Sequence, residues 1–164
     1  MISRLRPWWP LLALFASGAM LATAILYFQG VQGLQPCVLC LKQREWHWGV
    51  IAVSVLALIV TRVRPGWTRW AIVIIGLTLL GSAAMAGYHV AVEQKWVVAQ
   101  CDVGGAINAA DLSLDNLGEE LHPPRCDEIP WSLFGISMAG YNMIASLLLA
   151  LASFYVALSG KREQ

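Results

Sequence analysis

The chain has 164 residues, 58% of them hydrophobic and 13% charged, with a formal net charge of +1. A water-soluble domain carries about 25% charged residues, so a soluble bundle of buried helices is a poor fit, and no nucleic-acid partner is expected. The apolar residues gather into four runs, roughly 8–28, 46–61, 70–92 and 131–158, each near the ~20 residues that span a hydrocarbon core.

The first run follows Arg4 and Arg6, and Ala22-Thr23-Ala24 resembles a signal-cleavage site. A signal core is about 7–15 residues long, whereas this stretch continues through Ile25, Leu26, Tyr27 and Phe28, which predicts a retained anchor. Next comes QPCVLCLKQR, residues 35–44. Pro36 suits the first turn of a helix, where its missing N–H costs nothing. That sets Cys37 and Cys40 in the first turn of span two, where free N–H groups and the helix dipole favour a thiolate. Arg44 follows Cys40 by four residues and Cys37 by seven, so all three share a face. A guanidinium there stabilises the Cys40 thiolate. Lys42 is read as snorkelling to lipid, and His47 as a structural or supporting residue. Leu41, Trp46 and Trp48 extend the short second run toward the interface.

Arg62, Arg64 and Arg69 separate spans two and three, and span three closes on Tyr88-His89. Gly76, Gly81 and Gly87 are read as allowing close helix packing. From Glu93 to Pro130 the chain turns acidic, with Lys95 and Arg125 its only basic residues, and this segment holds Cys101 and Cys126. Leu112, Leu114, Leu117 and Leu121 alternate with acids there and predict a short amphipathic helix resting on the bilayer. Cys126 precedes Trp131 by five residues. Five extended residues reach roughly 17 Å, which tethers Cys126 near the membrane surface beside Cys37. Lys161 and Arg162 follow span four, and Trp8, Trp9, Trp67, Trp70, Trp96 and Trp131 fall near span ends as an aromatic belt.

These features predict an all-α membrane protein: a four-transmembrane-helix bundle with spans near 9–29, 41–61, 69–92 and 132–158, in one membrane domain over 1–164. Seven of the 11 basic residues flank the spans in three segments that should be cytoplasmic. Both termini are then inside, and the loops 30–40 and 93–131 are outside. All four cysteines lie in or beside those outside loops, which reads as disulfide chemistry.

Zinc fits poorly, because Cys101 and Cys126 are 25 apart and supply no second Cys-x-x-Cys. Covalent haem fails because Leu41, not His, follows Cys40. A Cys101–Cys126 staple is plausible, while a Cys-x-x-Cys staples little chain. One structural and one catalytic pair, or two catalytic pairs, remain. Making disulfides requires an electron acceptor, and the usual flavin, nicotinamide and haem motifs are missing. A lipid-dissolved quinone needs only an apolar groove with a few polar groups, which His89, Arg44, Trp46 and Trp48 could line.

Pro36-Cys37-x-x-Cys40-x-x-x-Arg44, the Tyr88-His89 pair, and CDEIPWSLFGISMAGYN entering span four together resemble the disulfide bond formation protein B (DsbB) family, the quinone-linked thiol oxidases of the bacterial inner membrane. The resemblance spans most of the chain. That system keeps the bacterial periplasm oxidising, an established property of the family. The resemblance implies that Cys37 and Cys40 pass electrons to ubiquinone or menaquinone from the membrane pool, with Cys40 facing the ring. Cys101 would take the attack of a periplasmic thioredoxin-fold thiol oxidase, and Cys126 would exchange with Cys37. Arg44 and His89 would bind the quinone. The loop DVGGAINAADLSLDNLGEEL has little likeness to the best-known members. Two rivals remain: a membrane scaffold with stapled cysteines, and an epoxide-reductase-like enzyme. The second family places its Cys-x-x-Cys after the loop cysteines, the reverse of the order here.

Overall fold

The computed structural model describes residues 6–98 and 125–159. Four helical segments are long and apolar enough to cross a membrane: Arg6–Val31, Val38–Val63, Pro65–Glu93 and Met138–Leu158. The first is composite. A 3-10 turn, Arg6–Trp8, leads into α1 (Trp9–Ala22), which runs on as a π-helical stretch, Thr23–Val31. Then come α2 (Val38–Val63), a tight 3-10 turn at Pro65–Trp67, α3 (Thr68–Glu93) and α4 (Met138–Leu158). Helices adjacent in sequence pack against one another, α3 on α4 most extensively. The protein is thus an all-α four-helix membrane bundle, as its apolar runs predict.

Its burial pattern is that of a lipid-solvated protein. Ser17, Ser54, Ser82, Ser146, Ser153, Ala86, Ala150 and Ala157 are fully buried, whereas Leu56, Leu77, Leu148 and Leu151 are mostly exposed. Lipid tails are as apolar as leucine, so helices associate through close contact of small residues and hydrogen bonds between them. At Gly76 an added Cβ would lie 3.1 Å from Ser153 Cβ and 3.0 Å from the Phe154 ring, so glycine sets the α3–α4 approach. At Gly81 the added Cβ would meet the Trp46 ring at 2.5 Å. Trp46 therefore packs on α3, and neither it nor Trp48 lines the cavity described below, contrary to the expectation from sequence.

Two terminal residues do more than mark an interface. Arg6 donates to the carbonyls of Val156 (3.1 Å) and Ala157 (2.7 Å), occupying acceptors that the last turn of α4 leaves free. Trp9 Nε1 donates to Ser153 Oγ at 2.9 Å, which pins α1 to α4.

The fourth apolar run becomes helix only at Met138. Before it, β1 (Ser132–Leu133) pairs antiparallel with β2 (Ile136–Ser137). Phe134 and Gly135 turn the hairpin with φ of 51° and 77°, the left-handed pair that a two-residue hairpin turn requires. Ser137 then caps α4, its Oγ accepting from Gly140 N at 3.1 Å. Because α3 continues through Glu93, that residue is a buried helical acid rather than part of the acidic loop. Cys101 and the amphipathic helix expected around Leu112–Leu121 lie outside the described residues.

Candidate active site

The cysteine pair begins α2, whose first helical residue is Val38, two positions later than Pro36 suggested. Cys37 is the N-cap (φ −73°, ψ 169°) and Pro36 precedes it, so only Cys40 sits in the first helical turn. Cys37 Sγ accepts from Cys40 N at 3.2 Å, taking the place a serine oxygen usually holds at a cap. Both thiols are free. A hydrogen bond with the Cys40 sulfur, then burial, push the Cys37 thiol far above the ordinary cysteine range, although the backbone N–H groups of Leu39 and Cys40 pull the other way.

Three further groups close around that pair. His89, buried on α3, sets Nε2 3.7 Å from Cys37 Sγ. The two sulfurs and a ring nitrogen of His89 all lie within 4.8 Å of one another. Cys126 is disulfide-bonded and 2% exposed, and it packs with Cys37, Leu39 and Val92 in one buried cluster that Cys40 also touches. Its backbone hydrogen-bonds the His89 ring. Glu93, one helical turn beyond His89, places Oε1 3.9 Å from Nε2 and accepts a hydrogen bond from Ser137 Oγ. Cys37, Cys40, Cys126 and His89 thus converge from three separate segments.

Arg44 joins them across a cavity of about 520 Å³ lined by Cys37, Cys40, Arg44 and His89 together with apolar residues such as Leu21 and Phe28. A pocket of that size and character suits a planar apolar ligand head with a few polar contacts. The guanidinium is oriented by the π-helical stretch, donating to Gln29 Oε1 at 2.9 Å and to the Ala24 carbonyl at 3.2 Å. π-Helical turns recur at functional sites because they offset the backbone carbonyls, and here one of them holds Arg44. Lys42 pairs instead with Glu45 on the exposed face at 3.0 Å.

Gln43, Asn142 and Glu93 reach the same cavity, and the sequence reading passed over all three as site residues. Their signal was present. A polar or ionisable side chain inside an apolar span is costly and usually functional, and Asn142 lies within such a run.

A four-helix membrane bundle with a partly buried, unpaired Cys-x-x-Cys, an adjacent histidine and a neighbouring disulfide defines the class: a membrane-embedded thiol–disulfide oxidoreductase. The family model described as disulfide bond formation protein DsbB matches residues 6–156. The chain is 32% identical over 155 residues to disulfide bond formation protein B 2 of Pseudomonas savastanoi pv. phaseolicola, covering 88% of this chain and 83% of that protein. It is 31% identical to disulfide bond formation protein B of Azoarcus sp. (85% and 87% covered) and 30% identical to that of Shewanella loihica (90% and 87% covered). No solved structure matches it. The chain belongs to the DsbB family, and its role is disulfide bond formation.

Proposed function

We propose that this protein is a thiol:quinone oxidoreductase of the bacterial inner membrane, which reoxidises a periplasmic thioredoxin-fold dithiol oxidase and passes the electrons to the quinone pool. The observation that carries this reading is the packing of Cys126 against Cys37, with Cys40 beside them on the cavity. Sulfur exchange and electron delivery then need no large movement of the bundle.

In this reading the partner's thiolate attacks Cys101 of a Cys101–Cys126 disulfide and its second thiolate completes the partner's own disulfide. The released Cys126 thiolate attacks Cys37 of an oxidised Cys37–Cys40 pair. Cys101 then closes on Cys126, leaving Cys37 and Cys40 as a dithiol. Reforming their disulfide releases two electrons and two protons, and uptake of both is the chemistry a quinone supplies. The residues present fit such a head group: the cavity is apolar, Arg44 offers a fixed positive charge, and His89 lines its wall. Donors held in place at a developing oxyanion stabilise it without reorganisation.

The test is reduction of quinone by the purified protein given a reduced thioredoxin-fold partner, with one quinone consumed per partner disulfide formed. Partner oxidation without quinone consumption overturns the reading. A Cys126→Ser variant should accumulate a mixed disulfide with the partner through Cys101. For orientation, an impermeant thiol reagent applied to whole cells should label a Gly33→Cys variant and not an Arg64→Cys variant, each built without the native cysteines.

A further inference from the structure

Behind the cysteine pair runs a buried chain of hydrogen bonds that crosses from α1 to α3 by way of α2 and α4. Ser17 Oγ lies 3.5 Å from His47 Nδ1, and His47 Nε2 lies 2.8 Å from Asn142 Oδ1. Asn142 Nδ2 donates to Gln43 Oε1 at 2.7 Å, and Gln43 Nε2 meets His89 Nδ1 at 2.6 Å. Ser146 Oγ also donates to Asn142 Oδ1 at 3.1 Å. His47, Gln43 and His89 are all more than nine-tenths buried, so leaving one of these groups unpaired is costly.

The chain has a direction. A carboxamide nitrogen only donates and its oxygen only accepts. Asn142 Oδ1 takes hydrogens from His47 and Ser146, so Nδ2 is left for Gln43, and Gln43 must present its own NH₂ to His89. The other side of the ring agrees. Around Nε2 stand Cys37 Sγ and Glu93 Oε1, both able to accept a hydrogen bond. A neutral imidazole whose Nδ1 accepts from an amide carries its proton on Nε2. An amide passes protons on poorly, so the bridge orients the ring and does not conduct.

We propose that Gln43 and Asn142 are positioning residues that lock His89 with its proton on Nε2, so that the ring donates to Cys37 Sγ and stabilises the thiolate that Cys37 becomes when Cys101 closes on Cys126. His89 then acts as a fixed donor and not as a base toward Cys37. This inference rests on the proposed role of the pair as the electron-delivering dithiol, but its first test does not.

That test uses the full chain labelled with [15N]histidine in detergent micelles, with long-range 1H–15N correlation spectra reporting each ring's tautomer. The chain has three histidines, so single substitutions assign the signals. The expected result is an exclusively Nε2–H His89 in the reduced wild type. An Nδ1–H ring, or a mixture, overturns the proposal whatever the variants do. In Asn142→Leu the Gln43 amide loses its donor and is free to turn. His89 should become a mixture of tautomers, with the Nδ1–H form now populated. An unchanged tautomer in a folded variant also overturns it. Absence of quinone reduction alongside the expected tautomer would instead count against the proposed function and leave this inference standing.

Discussion

The two halves of the bundle solve opposite problems. Between α3 and α4 the contact is close and made of small residues, with Gly76 against Ser153 and Phe154. Of the four spans, α3 is the most buried and the one beginning with α1 the least. Between the π-helical stretch and α2 the bundle opens instead, and the gap is the cavity that reaches Cys40, Arg44 and His89. A ligand needs a void, and a void forfeits packing contacts. The α3–α4 pair supplies rigidity, which lets the other pair stay open where α3 delivers His89.

Breaking the open half at Cys40 should have the largest effect. Cys40→Ser should abolish quinone reduction by the purified protein while the thermal unfolding profile stays near wild type, since serine keeps the size of the side chain. Detectable steady-state turnover in that variant would remove Cys40 from the electron path.

Arg44 comes next. Losing a charged hydrogen-bond donor at an apolar site costs about 1.5–3 kcal/mol, so Arg44→Gln should raise the apparent KM for quinone by roughly tenfold or more. Arg44→Lys keeps the charge but loses the planar fork, and should fall between the two. Single-turnover oxidation of the partner without added quinone should be nearly the same in all three proteins. Equal quinone titrations for wild type and Arg44→Gln would reduce Arg44 to a brace for the π-helical stretch.

The closed half responds in stability instead. Gly76→Val forces atoms into a space already filled by Ser153 and Phe154, and overpacking of this kind costs about 1–3 kcal/mol. Its midpoint of thermal unfolding in detergent should drop, with the quinone KM retained. Gly18→Ala on α1 has nothing within 4 Å of the added Cβ and should have the smallest effect, under about 0.5 kcal/mol. Equal destabilisation by the two glycine substitutions would mean the halves are packed alike.

Much of the site was legible because it is local. The Cys37–Cys40 spacing and the helical face they share with Arg44 follow from 3.6 residues per turn. Tyr88-His89 was picked out by likeness to the family. The start of α4 was less legible, because the apolar run from Trp131 hides a hairpin. Only the positive φ at Phe134 and Gly135 explains why helix waits until Met138. Trp46 and Trp48 looked like groove residues from their place at the interface, but Gly81 draws the Trp46 ring onto α3.

What the sequence determined by itself, then, was the number of spans and the motif that marks the family, since hydropathy and helical periodicity act over a few turns. Tertiary structure alone decided which distant polar groups meet. Gln43 reaches Asn142 across 99 positions and His89 across 46, while Cys37 meets His89 across 52. Those meetings depend on how each helix is rotated about its axis, and that rotation is set by where small residues let two backbones approach. In lipid there is no hydrophobic drive between helices to set it otherwise.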